Sequence, residues 1–540
     1  SDVPDELWSL IGSFASRQTV ARLCSVSQYF YVLFSPSLYS NTVDPPLTAS
    51  QSTLLLRTLV IGTYSELEST SITKPSHNHL HPASLIKQLG LVDRYGHEYL
   101  RDKHEIFEIF RALEQPALAE GLRTLHWSLV AGIDELGRIM GVAGKFPHLK
   151  ELSVSSRGNL NNFNFVHIPC LEVLRIELDL TSVLEHGKFA MRYYLCFKFA
   201  EAIQMLPCSS PLLHALHLDI KIPFWEGFGF PEDGYPDLIA ALNSIRLPML
   251  LVFDISVDLV PEDFWDYGTS LDYLPQTDLA PFLRSHPSLV HLTLNVLGTK
   301  LDEQVTFLPK LRSFSGSFAE ASLLCARQRH LQKLTIKLVY KERFTPLPLP
   351  QFAIAELGGW SLTHLRISAY DVFGQYMKYT DEISPTTFHD LASSLPNLVD
   401  LDITISHPMR KYRDHLTSLT ELQSLRIHQY RIRYLGPPNW PAHLVFPSDE
   451  YVEEFAFVLP SLPQLTRIEI SVIGDISPLS KRDCNHNHES TTSPDCDSDC
   501  DVVFPDICWE SLGDTPDVTV SYSFSVSRPS SGACLVLNSA

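Results

Sequence analysis

The sequence predicts an α/β solenoid, with a curved parallel sheet on the concave side and helices and loops on the convex side, preceded by three short helices. Three observations predict it. One six-residue apolar pattern recurs along most of the chain, amphipathic segments running into proline precede many of its copies, and the first forty residues carry helical spacing instead.

At 540 residues the chain is too long for one ordinary globular core, which leaves several domains or one array whose core grows lengthwise. Apolar residues make up 44% and charged residues 19%, the balance of a folded chain. The formal charge of −20, from 42 basic and 62 acidic residues, is the wrong sign for a protein that gains affinity by displacing counterions from phosphates, so nucleic acid is not expected as a ligand. No run approaches the length of a membrane-spanning helix, and the opening SDVPDELW lacks the basic-then-apolar build of a signal peptide. Cys24, Cys170, Cys196, Cys208 and Cys325 sit singly in apolar segments, and the chain has no N-x-[ST] sequon. These features predict a soluble, reduced, cytoplasmic and/or nuclear protein with no membrane association.

The N-terminal segment reads as three helices. In VPDELWSLIGSF, Leu7, Leu10, Ile11 and Phe14 form one stripe behind Pro4, with Asp5 and Glu6 at the positive helix end. Ser16 is placed to cap a second helix that aligns Val20, Leu23 and Cys24. A third aligns Tyr29, Phe30, Leu33 and Phe34 and is expected to stop at Pro36. Three such helices cannot bury their own apolar surface, so a partner or the next domain must cover it.

Residues 3–43 resemble an F-box. Val3, Pro4, Glu6, Leu7, Ile11, Leu23, Val26, Ser27, Phe30, Leu33, Pro36, Leu38 and Tyr39 stand at the positions of its pattern; Trp8, Gly12 and the polar SRQT depart from it. The resemblance implies docking onto a Skp-family adaptor, and through it a cullin, by Val3, Pro4, Leu7, Leu10, Ile11, Phe14, Val20, Leu23, Val26, Phe30 and Leu33. The plainer alternative is that these helices only cap the array.

Beyond them, L-x-x-L-x-[LIVFW] begins at Leu122, Leu149, Leu171, Leu213, Leu250 (with Phe253), Leu289, Leu331, Leu362, Leu398, Leu422 and Leu465. A weaker copy at Leu311 fits only its first two apolar positions, and LRTLVI from Leu56 fits a helix equally well. Starts separated by 20 to 43 residues match leucine-rich repeats with one strand and a helix or loop per unit. PDLIAALNSIRLP, LAPFLRSHP, TTFHDLASSLP and VEEFAFVLPSLP read as helices that proline ends before the strand. The copies lack the asparagine of regular leucine-rich repeats and resemble the degenerate, variable-length repeats that often follow F-boxes in fungal proteins. Eleven strands sharing one motif argue against an α/β barrel or a doubly wound sheet.

With the three apolar positions inward, the residues between them face solvent on the concave side and form a candidate target-binding surface. Arg175, His217, Asp254, His291, Lys333, Lys337, Arg366, Asp400, Asp402, Arg426 and His428 are its central candidates, with Glu151, Thr293, His364, Arg467 and Glu469 in the same column. Any one of them, taken singly, is an ordinary solvated residue. HNHLH at His77, His79 and His81, and the set Cys484, His486, His488, Cys496 and Cys500, lack zinc spacing, so no metal or cofactor is expected; the Ser, Thr and Asp around the second set fit a phosphorylated segment. Phosphate-loop, dinucleotide, serine-hydrolase and zinc-protease motifs are absent, and no catalytic residue is nominated.

The expected organisation is an F-box over 1–43, a linker with irregular first repeats over 44–120 and repeats over 121–475. A disordered acidic loop over 476–502 and a C-terminal cap over 503–540 complete it. The expected function is a non-catalytic substrate-recruiting subunit of a Skp/cullin/F-box ubiquitin ligase. A repeat scaffold outside any ligase is the alternative, and an enzyme hidden in the insertions ranks third.

Overall fold

Proline sets the beat of the chain. Phe146-Pro147-His148-Leu149, Leu247-Pro248-Met249-Leu250, His286-Pro287-Ser288-Leu289 and Leu395-Pro396-Asn397-Leu398 each close a turn in which the leucine N–H donates to the carbonyl three residues back, at 3.0–3.2 Å. Proline suits the second position of such a turn because its ring pre-sets φ. The helices end before it, at Ser244, Ser285 and Ser394, so proline shapes the entry to the strand instead of terminating the helix directly. Proline disfavours helical geometry in the residue before it, which works against the helix running on at these turns.

A computed structural model describes residues 4–40, 42–43, 55, 59, 82–92, 110–128, 135–157, 167–179, 189–224, 234–261, 277–296, 299–301, 308–325, 330–339, 361–370, 385–405, 409–430, 455, 458–474, 518–527 and 534–537. The chain divides into two units. The first is Ser1–His330 with Val372–Gln375, and the second is Leu331–Asp371 with Tyr376–Ala540.

The first unit opens with α1 (Asp5–Phe14), α2 (Arg17–Val26) and α3 (Gln28–Tyr39). Ser16 caps α2 by accepting from Thr19 N, and Ser27 caps α3 by accepting from Phe30 N, both at 3.2 Å. Contrary to the expected stop, α3 runs through Pro36 to Tyr39. Proline removes one backbone donor, while its own carbonyl accepts Ser40 N at 2.9 Å, so the last turn holds. Two of the departures from the F-box pattern, Trp8 and Gly12, lie in the packing of the helices. A Cβ on Gly12 would sit 2.6 Å from Phe34 Cε1, so only glycine lets α1 approach α3, and Trp8 meets Phe30 edge-on at 5.0 Å.

The strands of this unit are β1 (Gln88–Val92), β2 (Thr124–Ser128), β3 (Glu151–Arg157), β4 (Val173–Asp179), β5 (Ala215–Phe224), β6 (Val252–Pro261), β8 (His291–Val296) and β10 (Ser313–Ser317). They pair in parallel in that order, while β7 (Thr277–Asp278) and β9 (Thr299–Lys300) pair separately. The register aligns Leu89, Leu125, Leu152, Leu174, Leu216, Phe253, Leu292 and Phe314 in one inward row, each at most 1% exposed. Helices cover that side: Phe253 lies 4.4 Å from Phe282 of the helix Ala280–Ser285, ring centroid to centroid. One carbonyl before each of β1 to β6 and β8 accepts two N–H groups from the next repeat; Arg123 O takes Lys150 N at 2.7 Å and Glu151 N at 3.0 Å. The backbone itself thereby ties repeat to repeat where the sequence lacks the usual asparagine.

β1 escaped the leucine search because its first apolar position is Ile86; Ile86, Leu89 and Leu91 are all buried. The same double-acceptor device joins the helices to it, since Ser40 O takes both Lys87 N and Gln88 N. The weak copy at Leu311 also has a physical reason. A Cβ at Gly316 would lie 2.6 Å from Phe314 Cζ, so the Phe314 ring already fills the third apolar position. Leu59, from the other doubtful copy, is buried in helical conformation.

The second unit contains β11 (Lys333–Val339), β12 (His364–Tyr370), β13 (Asp400–Ile405), β14 (Ser424–Tyr430) and β15 (Arg467–Gly474), parallel and in register. Leu334, Leu365, Leu401, Leu425 and Ile468 make the inward row, each at most 3% exposed. β16 (Val518–Ser527) and β17 (Cys534–Leu537) then add antiparallel strands. The helix Pro385–Ser394 packs Phe388 edge-on against Tyr412, both buried. Among the described residues no helix is long and apolar enough to cross a membrane. The expected loop at 476–502, with its Cys and His residues, and the HNHLH stretch lie outside the described residues.

Candidate binding surfaces

Two surfaces stand out, one apolar and one polar. On the helices, Leu7, Leu10, Ile11 and Phe14 are 51%, 54%, 48% and 84% exposed, and Val26 (70%), Tyr29 (43%) and Val32 (61%) extend the apolar surface. Scattered single hydrophobes are ordinary, but seven large ones on three consecutive short helices form a concentration that soluble surfaces rarely show. Pro4 is exposed, and Leu23, Phe30 and Leu33 are half-buried. Val20, assigned from the sequence to the docking set, is 4% exposed and so is not on the docking surface; helical spacing could not tell that α2 turns it inward. Val3 lies outside the described residues.

The polar surface is the sheet face opposite the buried rows. Strand alternation dictates it, because successive side chains leave the sheet on opposite sides. In the first unit, Arg175, His217, Asp254 and Thr293 lie in direct cross-strand register. His217 Nδ1 approaches Asp254 Oδ2 at 2.6 Å, and Arg175 Nε approaches Glu151 Oε1 at 3.4 Å. Burial raises the Asp254 carboxyl, but hydrogen bonds from His217 and Thr293 and the nearby His291 outweigh it and hold it below the usual value. Lys221 pairs with Glu177 at 3.4 Å; burial lowers its ammonium, yet Glu177, Asp219 and Asp179 together raise it.

In the second unit the ladder is tighter. Arg366, Asp402, Arg426 and Glu469 occupy one cross-strand row with alternating sign. The Asp402 carboxylate, its side chain only 8% exposed, faces Arg366 Nε at 3.4 Å, Arg426 at 3.7 Å and His428 Nε2 at 3.0 Å. Arg426 Nε reaches Glu469 at 2.6 Å, and Arg467 pairs with the same carboxylate. Burial raises the Asp402 carboxyl, but the His428 hydrogen bond and the two guanidinium groups overcome it and hold it low. Cross-strand pairs of this kind contribute about 0.2–1 kcal/mol each, so the row gives register and orientation more than stability.

The sequence-derived column is thus brought together as two ladders, each on one unit. His291 and Lys333 are exposed, while Asp400, Lys337 and His428 are half-buried and Asp402 is buried. Among the described residues no group of three or more His, Cys, Asp or Glu side chains is arranged to hold a metal. One structural feature was missed although its signal was present. Ser317-x-x-Glu320 is a capping box in which Ser317 N donates to Glu320 at 2.8 Å and Glu320 N donates to Ser317 Oγ at 3.3 Å.

No protein-family model matches the chain, and no curated protein matches it. Among solved structures, a TLR13–ssRNA13 complex aligns with TM-score 0.26 and 15% identity over 58% of this chain and 46% of that one, so the chain spans less than half of its length. An internalin, inlF, from Listeria monocytogenes aligns with TM-score 0.26 and 12% identity over 76% of this chain and 87% of that one. Scores this low carry no argument, and the repeat architecture stands on this chain's own strand register and burial.

Proposed function

We propose that the chain is a substrate-recruiting subunit of a Skp/cullin/F-box ubiquitin ligase. The apolar surface of the N-terminal helices holds a Skp-type adaptor, and the polar sheet face holds the target. The observation that carries this reading is the exposed row Leu7, Leu10, Ile11 and Phe14, which coincides with residues that the F-box resemblance assigns to docking. Full burial of a large apolar side chain is worth roughly 1.5–3 kcal/mol, and with Leu7, Leu10 and Ile11 about half exposed and Phe14 84% exposed, roughly half or more of that remains to be gained at each on binding a partner. The subunit works by position: a rigid array raises the effective concentration of a bound target near a separate transferase. Its address is cytoplasmic and/or nuclear.

A second reading, a repeat scaffold outside any ligase, is favoured by one observation: Ser40 and Thr42 bond to the edge of β1, so the helices also close the sheet. Co-expression with a purified Skp-family adaptor separates the two. A stable binary complex in size-exclusion chromatography, lost in the Leu7→Asp, Ile11→Asp double variant, supports the ligase reading. Failure of the wild-type chain to co-elute rejects it.

A further inference from the structure

The two sheet faces carry opposite charge. Among the described outward positions of the first unit, Arg175 and Lys221 stand against Glu151, Glu177, Asp179, Asp219 and Asp254. On the second unit, Lys333, Lys337, Arg366, Arg426 and Arg467 stand against Asp400, Asp402 and Glu469, with His364 and His428 among them. A net basic face on a chain of charge −20 runs against the average of the molecule.

We infer that the sheet face of the second unit, spanning β11 to β15, binds an acidic, extended peptide segment of its target. This rests on reading the sheet face as the target-binding surface and names the chemistry of what it takes.

The arginines are arranged for such a ligand. Arg366 is held by Asp402 through Nε, and Arg426 by Glu469 through Nε and by Asp402 through Nη1, so each guanidinium is anchored beforehand. Their side chains remain 46% and 40% exposed, and Arg467 57%, so part of each guanidinium still lies open on the face. Arginine has five donors in a planar fork, and fixing the fork beforehand reduces the entropy lost when a carboxylate binds it. Asp402 and Glu469 are therefore positioning residues, and the cationic surplus is what a ligand meets.

The same face is incompletely satisfied. Thr404 Oγ1, in a residue 4% exposed, and Asp400 Oδ1 have no hydrogen-bond partner among the described residues. A hydroxyl offers a donor and a carboxylate oxygen requires one. A peptide supplies both complements, carbonyl or carboxylate acceptors and backbone N–H donors. A DNA backbone supplies only acceptors, and the chain's overall charge repels any nucleic acid. The size is also right: four inter-strand steps of about 4.8 Å span about 19 Å, the reach of about six extended residues.

The test is fluorescence anisotropy on the purified full chain, using a fluorescein-labelled peptide of alternating Glu and Ser, about ten residues long. Its Gln/Ser counterpart and a single-stranded oligonucleotide of similar charge are the comparison probes. The Glu/Ser peptide is expected to bind more tightly than both and to weaken as salt rises. Lys333→Gln and Arg366→Gln should each weaken it about three- to tenfold, whereas Lys145→Gln, in a surface pair with Glu114, should leave it unchanged. Lys333 is an exposed side chain, so its variant reports binding without a folding defect. Equal binding of the Gln/Ser peptide, tighter binding of the oligonucleotide, or no effect of Lys333→Gln overturns the inference. Loss of acidic binding alone, with the adaptor still co-eluting, rejects this inference and leaves the ligase reading intact; loss of the adaptor complex alone does the reverse.

Discussion

His286 gives the most direct test of how neighbouring repeats are joined. Its ring is buried at 1% exposure, accepts Leu247 N on Nε2 at 3.0 Å, and directs Nδ1 at Phe282 O at 2.7 Å. The accepting Nε2 requires the neutral ring with its proton on Nδ1. His286→Leu fills most of the space but leaves the Leu247 N–H without an acceptor, a cost of about 1–3 kcal/mol, and removes a hydrogen bond of about 1 kcal/mol. A loss of about 2–4 kcal/mol is expected.

The pH dependence sharpens it. Burial lowers the ring's basicity below the usual 6.5; the Phe282 carbonyl opposes this and Arg246 adds to it. Between the lowered and the ordinary value the unfolded chain binds the extra proton, so the histidine's contribution is complete above about 6.5 and is lost as pH falls through that window. The leucine variant has no such dependence. Urea unfolding followed by hydrogen exchange in peptides covering residues 245–291 should show a wild-type advantage at pH 7.5 that shrinks towards pH 5. Equal stability of the two proteins, or a difference independent of pH, would refute the reasoning.

Three further outcomes follow from the same geometry. Gly12→Ala should destabilise the N-terminal helices by about 1–3 kcal/mol through collision with Phe34, seen as faster exchange in residues 4–40 with the repeats unchanged. Asp402→Asn should cost about 1–3 kcal/mol, because His428 and two arginines lose a nearly buried counter-charge. Since that carboxyl is held below its ordinary value, its contribution is present above about pH 4 and is lost as pH falls further, so urea midpoints of wild type and variant should converge in acid. Ser317→Ala removes one arm of the capping box and should lower stability by about 1 kcal/mol, read as faster exchange over Phe318–Cys325.

Much of the architecture was legible because repetition multiplies a weak signal. One L-x-x-L-x-L means little; eleven in phase specify which side of every strand is buried, and the register places Leu152 beside Leu174 and Leu401 beside Leu425. The copies that eluded the pattern did so for local reasons, isoleucine at Ile86 and a ring that displaced a side chain at Gly316. Pro36 was misread because a proline costs a helix one donor, and only the neighbouring carbonyl geometry decides whether the turn survives.

The sequence by itself determined the leucine-patterned strands, their inward rows, the Ser16 cap and the outward polar column, because these follow from spacing along the chain. Only the tertiary structure decided which polar residues meet. Asp402 collects Arg366 from one neighbouring strand and Arg426 and His428 from the other, and Val20 turns inward while Phe14 turns out. Such pairings depend on register and packing between segments distant in sequence, and periodicity along one segment carries no information about its neighbour.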